Sequence, residues 1–415
     1  MPRTALYFND DQSEADDFFV RHRGATQREV SSEDLRRELR LLRRMGSGSF
    51  GVAFLARFRG REWVVKLPRA QTDASQLGEE GKEACTLDQV LSVAVTPGER
   101  ERIERDFAKE CRNAERVLDA PRARAIRDER AGVGQRLMHL TEDEYDAVCA
   151  ARLAWQSLRG YAHMHPVIHY DAELPLLMSL PAEDTIAALR VTVDAATMVE
   201  PPPVWFDVAW QLSEAIAFLQ THPRLAHIDL KPANVLFVRR GGGVHCWLSD
   251  YGDLFPLDDR TRFEGGTALF GPHALAHARL MAGGATYGQR ALYAYYATLV
   301  DLLKVKVHSG WSQSVTPDWH LTACLSEYGY NIGECVENMG DSAEEEASVA
   351  PPEFAELKDF LTFHDDMTTH LLAPLRLEAF GRLATHFEAT RAWLAARKPD
   401  PNPMRSRLSV FSRMF

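Results

Sequence analysis

The run His227-Ile228-Asp229-Leu230-Lys231-Pro232-Ala233-Asn234 sets a carboxylate, an ammonium and a carboxamide close together in sequence. Asp229 can accept a hydrogen bond from an incoming hydroxyl, and Lys231 can steady a phosphate in transit. Asn234 can offer its side-chain oxygen to magnesium. That is equipment for phosphoryl transfer, in which catalysis is mostly positioning and charge neutralisation.

Three further segments carry complementary groups. Gly46, Gly48 and Gly51 in GSGSFG would let backbone N–H groups approach phosphates unobstructed. Alone, this spacing reads equally well as a hairpin turn. Its place between two strand-like runs, not before a helix, argues against a dinucleotide-binding turn. Lys66 ends WVVK, 15 residues after Gly51. From a neighbouring strand its ammonium can point at the α- and β-phosphates, with Val64 facing the adenine. Taken alone, it would be a solvated charge at a strand end. Asp250 in LSDYG stands 21 residues after Asp229. A carboxylate there would hold the magnesium that bridges the β- and γ-phosphates. By itself, Asp-Tyr-Gly would read as a turn.

The elements that must position these groups are legible in outline. Alternating apolar residues from Leu41 to Pro68, broken at Arg59-Gly60-Arg61, predict a β-meander. Residues 69–160 favour helix by composition, and residues 165–181 read as two short strands around a turn. Pro201 to Pro203 precede an amphipathic helix at 207–222, with Val208, Leu212, Ala215, Ile216 and Leu219 at helical spacing. Residues 235–252 predict a hairpin with a glycine-rich turn, and residues 284–308 a buried helix. Strands first and helices afterwards predict an α+β fold.

Bulk properties narrow the function classes. The chain has 415 residues, 45% hydrophobic and 26% charged, enough for two lobes. A net charge of −11 disfavours general nucleic-acid binding. The 6 cysteines form neither a CxxC pair nor a Cys/His ligand cluster, so reduced thiols are expected. An acidic N-terminus without an apolar core, and no apolar run near the ~20 residues of a membrane span, predict a soluble intracellular protein.

Together the four segments resemble the eukaryotic-type protein kinase family, from about Leu41 to at least Leu303. DLKP at 229–232 is similar to the serine/threonine branch. The large insertions and divergent C-terminal half resemble kinases of large DNA viruses, which would place the protein in a host cell. The resemblance implies a bilobal fold: a small β-rich N-lobe with one main helix and a larger, mainly helical C-lobe. It implies an extension at 1–38, an N-lobe with helical insertions at 39–181, a C-lobe at 182–398 that diverges after 310, and a basic tail at 399–415.

It also implies ATP and Mg2+ as cofactors, proteins as substrates, and roles for particular residues. Asp229, Lys231, Lys66 and Thr267 would be catalytic, with Asn234 and Asp250 as metal ligands. A glutamate pairing with Lys66 falls at Glu110 in FAKECRNAERVL, with Glu83 as the nearer competitor. ATP would lie against Gly46, Ser47, Gly48, Ser49, Phe50 and Gly51, and against Ala53, Val64, Lys66 and Leu236. Met178 would stand at the gatekeeper position, and the hinge at Ser179 and Leu180 would hydrogen-bond the adenine edge.

The pattern is broken in three places. Ile228 replaces the arginine that would receive an activation-segment phosphate, so activity is expected to be independent of phosphorylation at Thr261 or Thr267. His273 stands where the family has glutamate, and Ala291 where it has a buried aspartate. These departures loosen supports of the catalytic loop. A nucleotide-binding scaffold and a small-molecule kinase of related fold therefore stand beside the active protein kinase as readings.

Overall fold

The computed structural model describes residues 32–47, 51–68, 84–91, 96–98, 101, 105–114, 116–117, 160, 163–165, 167–171, 176–192, 203–240, 243–260, 266–267, 270–271, 284–303 and 368–397. They form an α+β structure with an antiparallel sheet and helices. The chain divides into two units: Met1–Ala182 with Ala217–Pro223 and Trp247–Leu254, and Glu183–Ile216 with Arg224–Cys246 and Phe255–Phe415. The expectations for residues 1–31, for most of an insertion at 120–163, for residues 304–367 and for the tail at 399–415 lie outside the described residues.

The first unit contains α1 (Ser32–Glu38), β1 (Arg40–Ser47), β2 (Gly51–Phe58), β3 (Arg61–Pro68), β4 (Cys85–Thr86) and α2 (Leu87–Val90). A helix at 105–114, α3, follows, and then β5 (Val167–Asp171) and β6 (Leu176–Ser179). Six strands pair in the order β4-β1-β2-β3-β6-β5. The strand period of two puts Val52, Phe54, Ala56 and Phe58 on one face, where they are buried with Trp63, Val65 and Leu67. The other face carries Ala53 beside Lys66 and Leu55 beside Val64. Arg59 (φ 47°) and Gly60 (φ 79°) make the tight β2–β3 turn. Arg59 is held there by Glu38, which accepts from its Nε at 3.0 Å.

Within the region expected to be helical, Cys85 and Thr86 instead pair with Leu41 and Arg40 of β1. The reason is local. Thr86 accepts the Gln89 N–H and its own N–H donates to the Gln89 side chain, a capping box that starts α2 at Leu87 and leaves Thr86 extended.

The second unit contains β7 (Asp184–Thr185), α4 (Ile186–Thr192), α5 (Pro203–Thr221) as far as Ile216, β8 (Leu225–His227), β9 (Val235–Arg240) and β10 (Gly243–Leu248) as far as Cys246. β11 (Leu254–Pro256) from Phe255 on, α6 (Tyr287–Leu303) and α7 (Leu383–Arg397) complete it. β10, β9 and β7 form one small sheet and β11 pairs with β8. Pro203 opens α5, where a missing N–H costs nothing. α6 is almost wholly buried, Arg290 and Asp301 included, the mark of a central core helix. Tyr295 meets Phe387 of α7 edge to face at 5.2 Å, and Arg391 of α7 donates to Glu214 of α5 at 2.7 Å. Among the described residues no helix is long and apolar enough to cross a membrane.

Candidate active site

In the first unit, three charged groups from distant parts of the sequence meet at Lys66. β3 delivers the lysine, α3 delivers Glu110, and the segment after β10 delivers Asp250. Lys66 Nζ donates to Glu110 Oε1 at 2.7 Å and to Asp250 Oδ1 at 3.2 Å. Burial alone would depress the lysine, but the two carboxylates outweigh it and hold the ammonium above its ordinary value. Burial pushes Glu110 upward against the pull of Lys66. Asp250 sits in left-handed backbone (φ 64°, ψ 72°), an uncommon conformation for aspartate.

Gly51 makes room for the lysine. A Cβ there would come within 2.7 Å of Lys66 Cε and 3.2 Å of the Leu67 carbonyl. Gly46, in contrast, would take a Cβ without meeting anything within 4 Å.

In the second unit, Asp229, Lys231, Asn234 and Thr267 form one hydrogen-bonded cluster. Lys231 Nζ donates to Asp229 Oδ2 at 2.6 Å and to Thr267 Oγ1 at 2.7 Å. Thr267 Oγ1 in turn donates to Asp229 Oδ1 at 2.7 Å, closing a ring. Asn234 Nδ2 donates to the Asp229 backbone carbonyl at 2.8 Å and to Oδ2 at 3.1 Å. Burial would raise the Asp229 carboxyl, yet the bonds from Lys231 and Thr267 outweigh that and hold it below its ordinary value. It is therefore an ionised acceptor at neutral pH. Gly266, at φ 86°, brings Thr267 to this position. A Cβ on Gly266 would crowd Arg290 Nη2 at 3.0 Å and the Ile228 carbonyl at 3.1 Å.

The remaining candidates are dispersed. Register places Ser179 opposite Val64 and Leu177 opposite Lys66, so these share the lysine's face. Met178, expected at the gatekeeper position, lies opposite Val65 and is buried in the core cluster. By the strand's period of two Met178 faces away from Lys66, while Leu177 and Ser179 lie on the lysine's side. Leu180 is half-buried and its carbonyl lies 2.9 Å from His165 Nε2. Leu236 lies on β9 opposite Thr185, in the second unit. Ser47 ends β1, while Gly48, Ser49, Phe50, Glu83, Thr261 and His273 lie outside the described residues.

The supports of the Asp229 loop differ from what its departures suggest. Ile228 and Ala291 lie in one buried cluster with Ala226 and Tyr287, flanked by Phe255 and Leu257. The loop is therefore footed on apolar packing where the resembled pattern has charged residues. Thr298 of α6 adds a hydroxyl that donates to the Leu230 carbonyl at 3.0 Å, while also lying 2.8 Å from the Ala294 carbonyl. Sequence reasoning missed Thr298 because a threonine in an apolar helix carries no signal of its own.

No family model matches the sequence, and a search of curated proteins finds no match.

Proposed function

We propose that the chain is a serine/threonine protein kinase of bilobal, protein-kinase-like fold that transfers the ATP γ-phosphate to hydroxyls of protein substrates. The observation that carries this reading is the closed ring of Asp229, Lys231 and Thr267. Chain 36 to 38 residues downstream returns a threonine to the carboxylate and ammonium of the DLKP run. The Lys66–Glu110–Asp250 cluster supports it from the other unit.

In this reading Asp229 accepts the hydrogen of the substrate hydroxyl. The hydroxyl oxygen attacks the γ-phosphorus, the bond to the β,γ-bridging oxygen breaks, and ADP leaves with the bonding electrons. The proton ends on the Asp229 carboxylate, which its depressed pKa keeps ionised until the hydroxyl arrives. Lys231 steadies the phosphoryl group in transit. Lys66, fixed by Glu110, is assigned to the α- and β-phosphates. Asp250 and Asn234 are assigned to magnesium. A carboxylate and an amide oxygen are hard donors that suit this ion, and Asn234 commits its nitrogen to Asp229. When bound, magnesium neutralises charge on the β- and γ-phosphates.

The test is label transfer from γ-labelled ATP to a degenerate peptide library, comparing wild type with Asp229→Asn. Label on serine or threonine, lost in the variant, is the expected result. Thermal stabilisation by Mg–ATP with no transfer to any acceptor points to a nucleotide-binding scaffold and overturns the proposal. Transfer to small metabolites alone overturns its protein-substrate half.

A further inference from the structure

Asn113 stands on α3 one turn beyond Glu110, with 6% of its surface exposed. Its side-chain nitrogen carries two hydrogens, and both are engaged. Nδ2 donates to the Tyr251 carbonyl at 2.8 Å and to the Leu254 carbonyl at 2.9 Å. These carbonyls bracket the short 3-10 turn Tyr251–Asp253 that follows directly on Asp250.

Asp250 sits in left-handed backbone, which costs a non-glycine residue something even when it is aspartate, and the bracket helps hold it there. On its other side, the His165 N–H donates to the Leu248 carbonyl at 2.9 Å. The Tyr251 hydroxyl donates to the His165 carbonyl at 2.6 Å, closing the bracket from the flank. Meanwhile Glu110, on the same helix as Asn113, holds the lysine that reaches Asp250.

We infer that Asn113 is a positioning residue for Asp250, clamping the turn after it to α3 so that Glu110, Lys66 and Asp250 move as one body. The contacts that argue it all lie in the first unit. Its catalytic consequence rests on the kinase reading, whereas its mechanical content does not.

The experiment uses the full chain and the variants Asn113→Leu, of similar size without donors, and Asn113→Ser, which keeps one donor. Backbone hydrogen exchange is followed by mass spectrometry in peptides spanning 105–114 and 248–256. In the leucine variant, exchange should accelerate about tenfold or more in both segments together, as expected for opening of one cooperative element. The serine variant should lie between. Under Mg–ATP, kcat should fall about 100-fold, the scale of an ångström-sized misplacement, with KM for ATP within about threefold. The serine variant should recover part of that loss.

Unchanged exchange at 248–256 in the leucine variant overturns the clamp, whatever transfer activity is found. A rise in KM with kcat intact overturns its catalytic consequence. Coupled acceleration in a chain that transfers no phosphate at all upholds the clamp and overturns the kinase reading instead. Should the leucine variant fail to fold, the serine variant carries the same comparison.

Discussion

The Thr267 hydroxyl donates to Asp229 Oδ1 at 2.7 Å while accepting from Lys231 Nζ at the same distance. One side chain thereby fixes the relative position of the carboxylate and the ammonium. Thr267→Val should lower kcat about 100-fold in steady-state assays, and Thr267→Ser should restore most of it. A loss in Thr267→Ala would accordingly report a missing hydrogen bond and not a missing phosphorylation site. Independence from phosphorylation is better read at Thr261, where alanine should leave the rate of the unphosphorylated protein unchanged.

Gly51→Ala should preserve the fold and impair the site. The nearest atom to the added methyl is Lys66 Cε, at 2.7 Å on a flexible chain that can swing aside. Swinging aside breaks its bonds to Glu110 and Asp250. Thermal unfolding should change little, while kcat/KM for ATP should fall about 10- to 100-fold. A normal kcat/KM would show that Lys66 need not lie where Gly51 lets it lie.

Lys66→Met and Asp250→Ala should each lower turnover at least ~1000-fold, because charge neutralisation is most of the catalysis. Near-normal rates in either variant refute the site assignment. Glu110→Gln should lower stability along with activity. It takes one carboxylate from a buried pair and leaves the Lys66 ammonium to Asp250, at the longer distance of 3.2 Å. Denaturant titration beside steady-state kinetics distinguishes the two effects.

Asp229 sets a pH dependence whose sign is fixed. Its folded-state pKa is depressed by Lys231 and Thr267, so the unfolded chain binds the proton more tightly. Its contribution to stability is full above the ordinary carboxylate range near about pH 4 and is lost as pH falls through the folded value. The melting-temperature difference between wild type and Asp229→Asn should therefore be constant near neutrality and shrink on acidification. A difference that grows towards low pH refutes the assignment.

Placing arginine at the position of Ile228 should harm the protein. Ile228 is 3% exposed, against Ala226, Tyr287 and Ala291. A guanidinium there meets no opposite charge within that cluster. Ile228→Arg should cost about 2–4 kcal/mol in denaturant unfolding and confer no response to activation-segment phosphorylation.

Much of this arrangement could be read from residue order. The alternation in VAFLARF and WVVKL was enough to anticipate β2 and β3, and helical spacing from Val208 to Leu219 was enough for α5. Local signals of that kind survive folding because each is satisfied by one buried face. Met178 shows where they stop. An apolar run such as LLM has no alternation, so only the pairing with β3 determines which side chain faces Lys66. Asn113 and Thr298 were invisible for another reason: their partners are backbone carbonyls, and every residue has one of those.

The apolar footing of Ile228 on Ala291 has a consequence for how the Asp229 loop responds to its surroundings. Contacts between hydrocarbon groups are indifferent to ionic strength and to phosphatases, and they weaken on cooling. A footing of this kind loosens on cooling, and salt acts on the loop only through its charged pairs such as Lys231 with Asp229.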